Sequence, residues 1–304
     1  MKIKSNSFFH NSNTLFLVAL ISLLLINLPG NSQVLIPGLS QSVSGGIGNN
    51  TNPAWSPDGK ALLFQSDRYL DWNIFMYIIE KDSLVQLTKN KFNETDPVWY
   101  PGRNSIVFTS DESGEDQLYV LDLTTGEQKL LIDRNIQCRN ASFSKYDTMV
   151  TFSGYDENSK TWQIYTYDFK YNNLNKLTDL GGNCQEPALS PDGKHIAFSY
   201  SDQFNANQSS IYVVNWYGDF AFQSTETALF NPSWTPDSFR IIYVNTDIGY
   251  TVSSMQKDGT SIFDIYQALI VQENPVISPD GKYMAISFLN DGNFELIFKY
   301  IEQE

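Results

Sequence analysis

Asn52-Pro53-Ala54-Trp55-Ser56-Pro57-Asp58-Gly59-Lys60 reads as the end of one short strand, a tight turn and the start of another. Proline presets φ for the first turn position, and glycine accepts the positive φ at the end of the turn. The Ser-Pro-Asp-Gly core recurs intact at 190–193 and 278–281. It returns altered as Thr235-Pro236-Asp237-Ser238, Tyr100-Pro101-Gly102-Arg103 and Ser144-Lys145-Tyr146-Asp147. Upstream of the copies lie Pro53, Pro97, Ala141, Pro187, Pro232 and Pro275, at steps of 44, 44, 46, 45 and 43 residues. A repeat of this period, more than any local element, organises the chain.

Working outward, each unit holds the same four segments. The strand ending in Trp55 is followed by Ala61-Leu62-Leu63-Phe64. A polar loop precedes Asn73-Ile74-Phe75-Met76-Tyr77, and a fourth strand ends in Leu87-Thr88. Four short strands in about 44 residues, repeated, are the signature of propeller blades. The fold expected is all-β: a six-bladed β-propeller with four-stranded antiparallel blades, its repeats starting near residues 52, 96, 140, 186, 231 and 274. The sixth unit ends soon after its third strand, whereas Val34-Leu35-Ile36-Pro37-Gly38-Leu39 precedes the first unit as an orphan. A ring closes its last edge when the two ends share a blade. Residues near 34–48 are therefore expected to complete the sixth blade, with Pro37 tolerated on an outermost strand.

The unit from Asn52 to Lys60, with Phe64-Gln65-Ser66-Asp67-Arg68 and Ile74-Phe75, resembles the repeat of TolB-like propellers, and the likeness runs over essentially all of 34–304. The resemblance implies a bacterial envelope protein, here expected without the α/β domain that precedes the propeller in TolB. The repeat also resembles the propellers of dipeptidyl-peptidase-like enzymes, without their hydrolase domain.

The first 32 residues carry Lys2 and Lys4, an apolar run from Leu15 to Leu28, and small residues at Gly30 and Ser32. These are the parts of a secretory signal peptide, expected to be cleaved after Ser32; the alternative is an uncleaved membrane anchor, for which the apolar run is short. Residues 33–304 are then a single propeller domain, periplasmic or secreted and monomeric, with no later membrane span. Removing Lys2 and Lys4 takes the formal charge from −14 to −16. Such a surface repels phosphate backbones, so nucleic acid is not expected as a partner.

The residue before each innermost strand is Asn52, Asp96, Asn140, Glu186, Asn231 or Asn274. Six-fold repetition places these polar groups around one mouth of the central channel, as a site for a cation, an amine or a segment of a partner. Asn and Asp before Pro also serve turns without any ligand. Arg68, Tyr69 and Trp72, on a loop expected at the same face, are of the types found at binding hot spots. The acidic stretch Asp111–Asp116 has oxygen ligands of the kind calcium takes, without the spacing of a known calcium loop, so calcium is possible and no cofactor is required. Cys138 and Cys184, each two residues before a ring position, are placed for a disulfide between the third and fourth blades, or for two buried thiols.

Beyond residue 32 the chain has one histidine, His195, and no phosphate-cradling glycine loop. A Ser-His-Asp relay or a multi-histidine zinc site is not expected. The inventory favours a non-catalytic binding or scaffold propeller that docks a protein segment or small polar ligand at its channel mouth. The alternative is a carbohydrate-active hydrolase or lyase using carboxylates or a bound metal at that mouth.

Overall fold

A computed structural model describes residues 40–301, apart from Ser44, Gly46, Asp147, Gln203, Phe204, Thr225, Glu226, Ile248 and 268–271. The segment 1–32 expected to be a signal peptide, and Pro37, lie outside the described residues. Six four-stranded antiparallel sheets follow one another along the chain. Their innermost strands are Asn50–Trp55, Glu94–Trp99, Cys138–Phe143, Asn183–Leu189, Leu229–Trp234 and Gln272–Ile277. Each innermost strand packs beside those of the preceding and following blades, and the last packs against the first, so the sheets form a ring.

The second strands explain why the blades stack. Along a strand successive side chains point to opposite faces. Leu62 and Phe64 enter the wedge between the first and sixth blades, while Leu63 enters the wedge between the first and second. Apolar residues on both faces, as in the fully buried Ser105–Ser110, are what a blade sandwiched between neighbours needs. Six buried clusters result, one in each wedge. Indole groups bridge three of them. Trp55 Nε1 donates to Val276 O at 3.2 Å, Trp99 Nε1 to Ala54 O at 3.1 Å, and Trp234 Nε1 to Ala188 O at 2.8 Å.

Closure takes the expected form. The sixth sheet adds Ser40–Ser42 as its outer strand, antiparallel to Asn293–Tyr300, with Gln41 opposite Phe298. Val43 N–H continues the ladder to Leu296 O at 2.9 Å, and its side chain is buried with Phe64, Phe75 and Phe298. Gln41 Nε2 donates to the Tyr77 hydroxyl at 2.8 Å, tying this strand to the first blade as well. In the turn between the first blade's innermost and second strands the Ser56 side chain accepts the Ala61 N–H at 2.9 Å and donates to Asp58 at 2.7 Å. That hydrogen bond, joined by the Lys60 N–H and charge, holds the Asp58 carboxyl below its ordinary value against the opposing effect of burial.

Candidate functional site

All six expected ring residues have left-handed backbone: φ is 54° at Asn52, 52° at Asp96, 54° at Asn140, 55° at Glu186, 50° at Asn231 and 53° at Asn274. At each one the pairing with the second strand slips, as between Thr51 and Ala54 or between Gln185 and Ala188. A bulge of this kind adds a residue and bends the strand. Asn and Asp tolerate the conformation well, which accounts for five of the six residue types. Glu186 has no such excuse and carries a local strain of about 1–2 kcal/mol. The following proline at 53, 97, 187, 232 and 275 has no N–H to lose where the ladder is already interrupted.

The bulge also brings consecutive residues to the channel. A cavity of about 1100 Å³ runs down the axis, lined by all six ring residues and by Arg139, Gln185, Gln272 and Glu273. Arg139, Gln185 and Glu273 are absent from the sequence-based set, because strict strand alternation would turn residues next to the ring away from it; Gln272, two residues before Asn274, keeps the alternation and is absent as well.

Neighbouring blades hold the ring residues in place. Asp96 accepts from Asn52 Nδ2, from Thr95 Oγ1 at 3.3 Å and from Thr109 Oγ1 at 3.2 Å, and its N–H donates to Gln65 Oε1 at 2.8 Å. Glu186 accepts from Ser199 Oγ at 2.9 Å and from the backbone N–H of Asn231 at 3.0 Å. Asn231 Oδ1 accepts the Asn274 N–H at 3.4 Å. Burial pushes the Asp96 carboxyl above its ordinary value, and Arg139 and these donors only partly offset it. Burial likewise raises Glu186, with Asp96 adding like-charge repulsion. Glu273 is raised first by burial and then by the charge of Glu186. Arg139 serves one side of the mouth: it donates to Gln185 Oε1 at 2.9 Å and lies 4.1 Å from the Trp162 ring centre.

Residues 30–178 match the TolB beta propeller domain family model. The chain is a TolB-like β-propeller. It is 25% identical over 251 residues to the uncharacterised protein Atu1656 of Agrobacterium fabrum, covering 77% of this chain and 82% of that one. TolB from Acinetobacter baumannii superposes with a TM-score of 0.61 at 16% identity, over 94% of this chain and 69% of that one. A gluconolactonase from Xanthomonas campestris superposes with a TM-score of 0.65 at 12% identity, over 86% and 89% of the two chains. At such identities the solved structures share the fold and nothing finer.

In this TolB-like propeller Arg68, Tyr69 and Trp72 do not line the channel cavity. Their loop is a tight hairpin, with Leu70 alone between strands Ala61–Tyr69 and Asp71–Ile78 at φ 90°. Arg68 folds inward, donating to the fully buried Asn50 Oδ1 at 2.7 Å and stacking 4.6 Å from the Phe75 ring centre. Tyr69 and Leu70 stay exposed at the hairpin tip. Asp67, at the base of the hairpin, accepts the backbone and side-chain N–H groups of Asn49 at 2.6 and 2.7 Å. Asp111 repeats this clamp on Asn93 at 2.9 and 2.8 Å, so the first acid of the 111–116 stretch holds a loop. Among the described residues no group of three His, Cys, Asp or Glu is placed to hold a metal ion.

Of the two states open to Cys138 and Cys184, a disulfide or two buried thiols, the structure has the second: both cysteines are free and buried. Equivalent positions in neighbouring blades fall in successive wedges: Cys138 packs between the second and third blades, Cys184 between the third and fourth. The third blade separates them. Each thiol points at a glutamine of the preceding blade, Cys138 at Gln117 Oε1 (3.8 Å) and Cys184 at Gln163 Oε1 (3.6 Å).

Proposed function

We propose that this TolB-like propeller is an exported, monomeric binding module, periplasmic or secreted, whose channel mouth docks a protein segment or a small polar ligand. The observation that carries this reading is the acidic mouth. Asp96, Glu186 and Glu273 converge on one cavity of about 1100 Å³, a size that suits a small ligand or the end of a chain. Hydrogen bonds from adjacent blades fix the first two, so the site is pre-organised, which reduces what binding must spend on ordering. An acidic chain with an acidic mouth selects partners that bring positive charge, and speeds their encounter. No helix among the described residues is long and apolar enough to cross a membrane. The test is capture of partners from an envelope extract by the wild type and by Asp96→Ala and Glu186→Ala. Loss of a specific partner in both variants supports the reading; unchanged recovery removes the ring from it.

Raised carboxyls in a cleft are also what a general acid requires, and this favours, as a second reading, a hydrolase or lyase acting on carbohydrate with Asp96 and Glu186. Screening oligosaccharides with and without added calcium or manganese separates the two. Turnover lost in Glu186→Gln would establish the second.

A further inference from the structure

Two independent observations converge on the sixth-blade side of the mouth. The first is charge. Arg139 offsets Asp96, Asp116 and, as the smallest of its influences, Glu186, but not Glu273. The charged neighbour of Glu273 is instead Glu186, a like charge, and no cation among the described residues pairs with it. The second is polarity. Gln272 is 1% exposed and lines the same cavity, yet neither its Oε1 nor its Nε2 has a hydrogen-bond partner among the described residues. Ser287, opposite Glu273 in the sheet register and fully buried, also has an unpartnered hydroxyl.

In the first and fourth blades the equivalent groups are engaged, whereas in the second and third Glu94 Oε2 and the Ser153 hydroxyl have no partner among the described residues, neither of them an amide. Asn50, which corresponds to Gln272, donates to Gly48 O at 2.9 Å and accepts from Arg68. Ser199, which corresponds to Ser287, donates to Glu186. Buried amides are rarely left without partners, and this one sits beside two carboxylates that repel each other.

We propose that this corner is a subsite for a primary ammonium group, presented by a lysine side chain or by the amino terminus of a polypeptide. The proposal rests on the mouth reading above and gives it a ligand chemistry. An ammonium has three donors and no acceptor. Glu186 and Glu273 supply charge-bearing acceptors and Gln272 Oε1 a neutral one, leaving Gln272 Nε2 to donate to a carbonyl of the bound segment.

The test is calorimetric titration of the full chain with three tripeptide amides: alanine with a free amino terminus, acetylated alanine, and acetylated alanine with a central lysine. The first or third binds, the source of the ammonium being whichever does, and the acetylated alanine peptide does not. Glu273→Gln and Gln272→Leu each weaken the binding by about tenfold or more, as loss of a hydrogen bond to a charged group does. Both variants should melt no lower than wild type, since one removes like-charge repulsion and the other an unpartnered amide. Equal binding of all three peptides, or affinity unchanged in Glu273→Gln, overturns the subsite. Capture lost in Asp96→Ala alongside such a result leaves the mouth reading standing; capture unaffected in both ring variants fails that reading itself.

Discussion

Trp234→Phe is the sharpest probe of how the blades are joined. Trp234 is 7% exposed in the wedge between the fourth and fifth blades, and its Nε1 donates to Ala188 O at 2.8 Å. Phenylalanine keeps an aromatic ring there but loses the donor and about 38 Å³ of volume, worth about 0.9 kcal/mol as an unfilled cavity. Loss of the hydrogen bond adds about 1 kcal/mol. The sum, about 2 kcal/mol, should lower the melting temperature by about 4–8 °C in a chain of this size. The assay is thermal unfolding followed by near-ultraviolet circular dichroism, with Trp72→Phe as control. Trp72 belongs to none of the six wedge clusters, so its change should stay within about 0.5 kcal/mol. Equal shifts in the two variants, or a Trp234→Phe protein melting within about 1 °C of wild type, would refute the inter-blade role.

Glu94 is fully buried, and burial raises its carboxyl above its unfolded value near 4.5, with hydrogen bonds from Thr88 and Asn90 only partly offsetting it. A group raised in the folded state contributes stability below its unfolded value and loses it as pH rises through the folded value. Glu94→Gln should therefore melt above wild type at about pH 7 and converge with it near about pH 4; a gap that widens on acidification would contradict this. Burial pushes the thiols of Cys138 and Cys184 up to about 12. Without reductant, Ellman's reagent should find neither thiol in the native protein and both in denaturant, whereas a disulfide would leave none in either state.

The blades were legible because a turn with strong residue requirements repeats: Pro57, Asp58 and Gly59 mark a strand junction wherever they return. The ring positions were legible for the same reason, six equivalent polar residues at one offset. Arg139 and Glu273 were not, because they reach the channel through a bulge that breaks alternation, and a backbone slip leaves no residue signature beyond the Asn or Asp that tolerates it. The positive φ of Glu186 was hidden by its poor fit to that conformation. Arg68 misled because residue type speaks of hot spots in general, whereas its partner Asn50 lies 18 positions away on the innermost strand. For the cysteines, equal offset in two blades meant equal depth in two different wedges.

Mouth, channel and subsite all presuppose a ring shut by its front end, so hydrogen exchange at residues 40–43 is the most direct test. The Val43 N–H bonded to Leu296 O, and the pairing of Ser40–Ser42 with 297–299, predict exchange slowed by about 100-fold or more relative to an unstructured peptide. Exchange at the unstructured rate in this segment, with the outer edge of Asn293–Tyr300 equally unprotected, would contradict the closure.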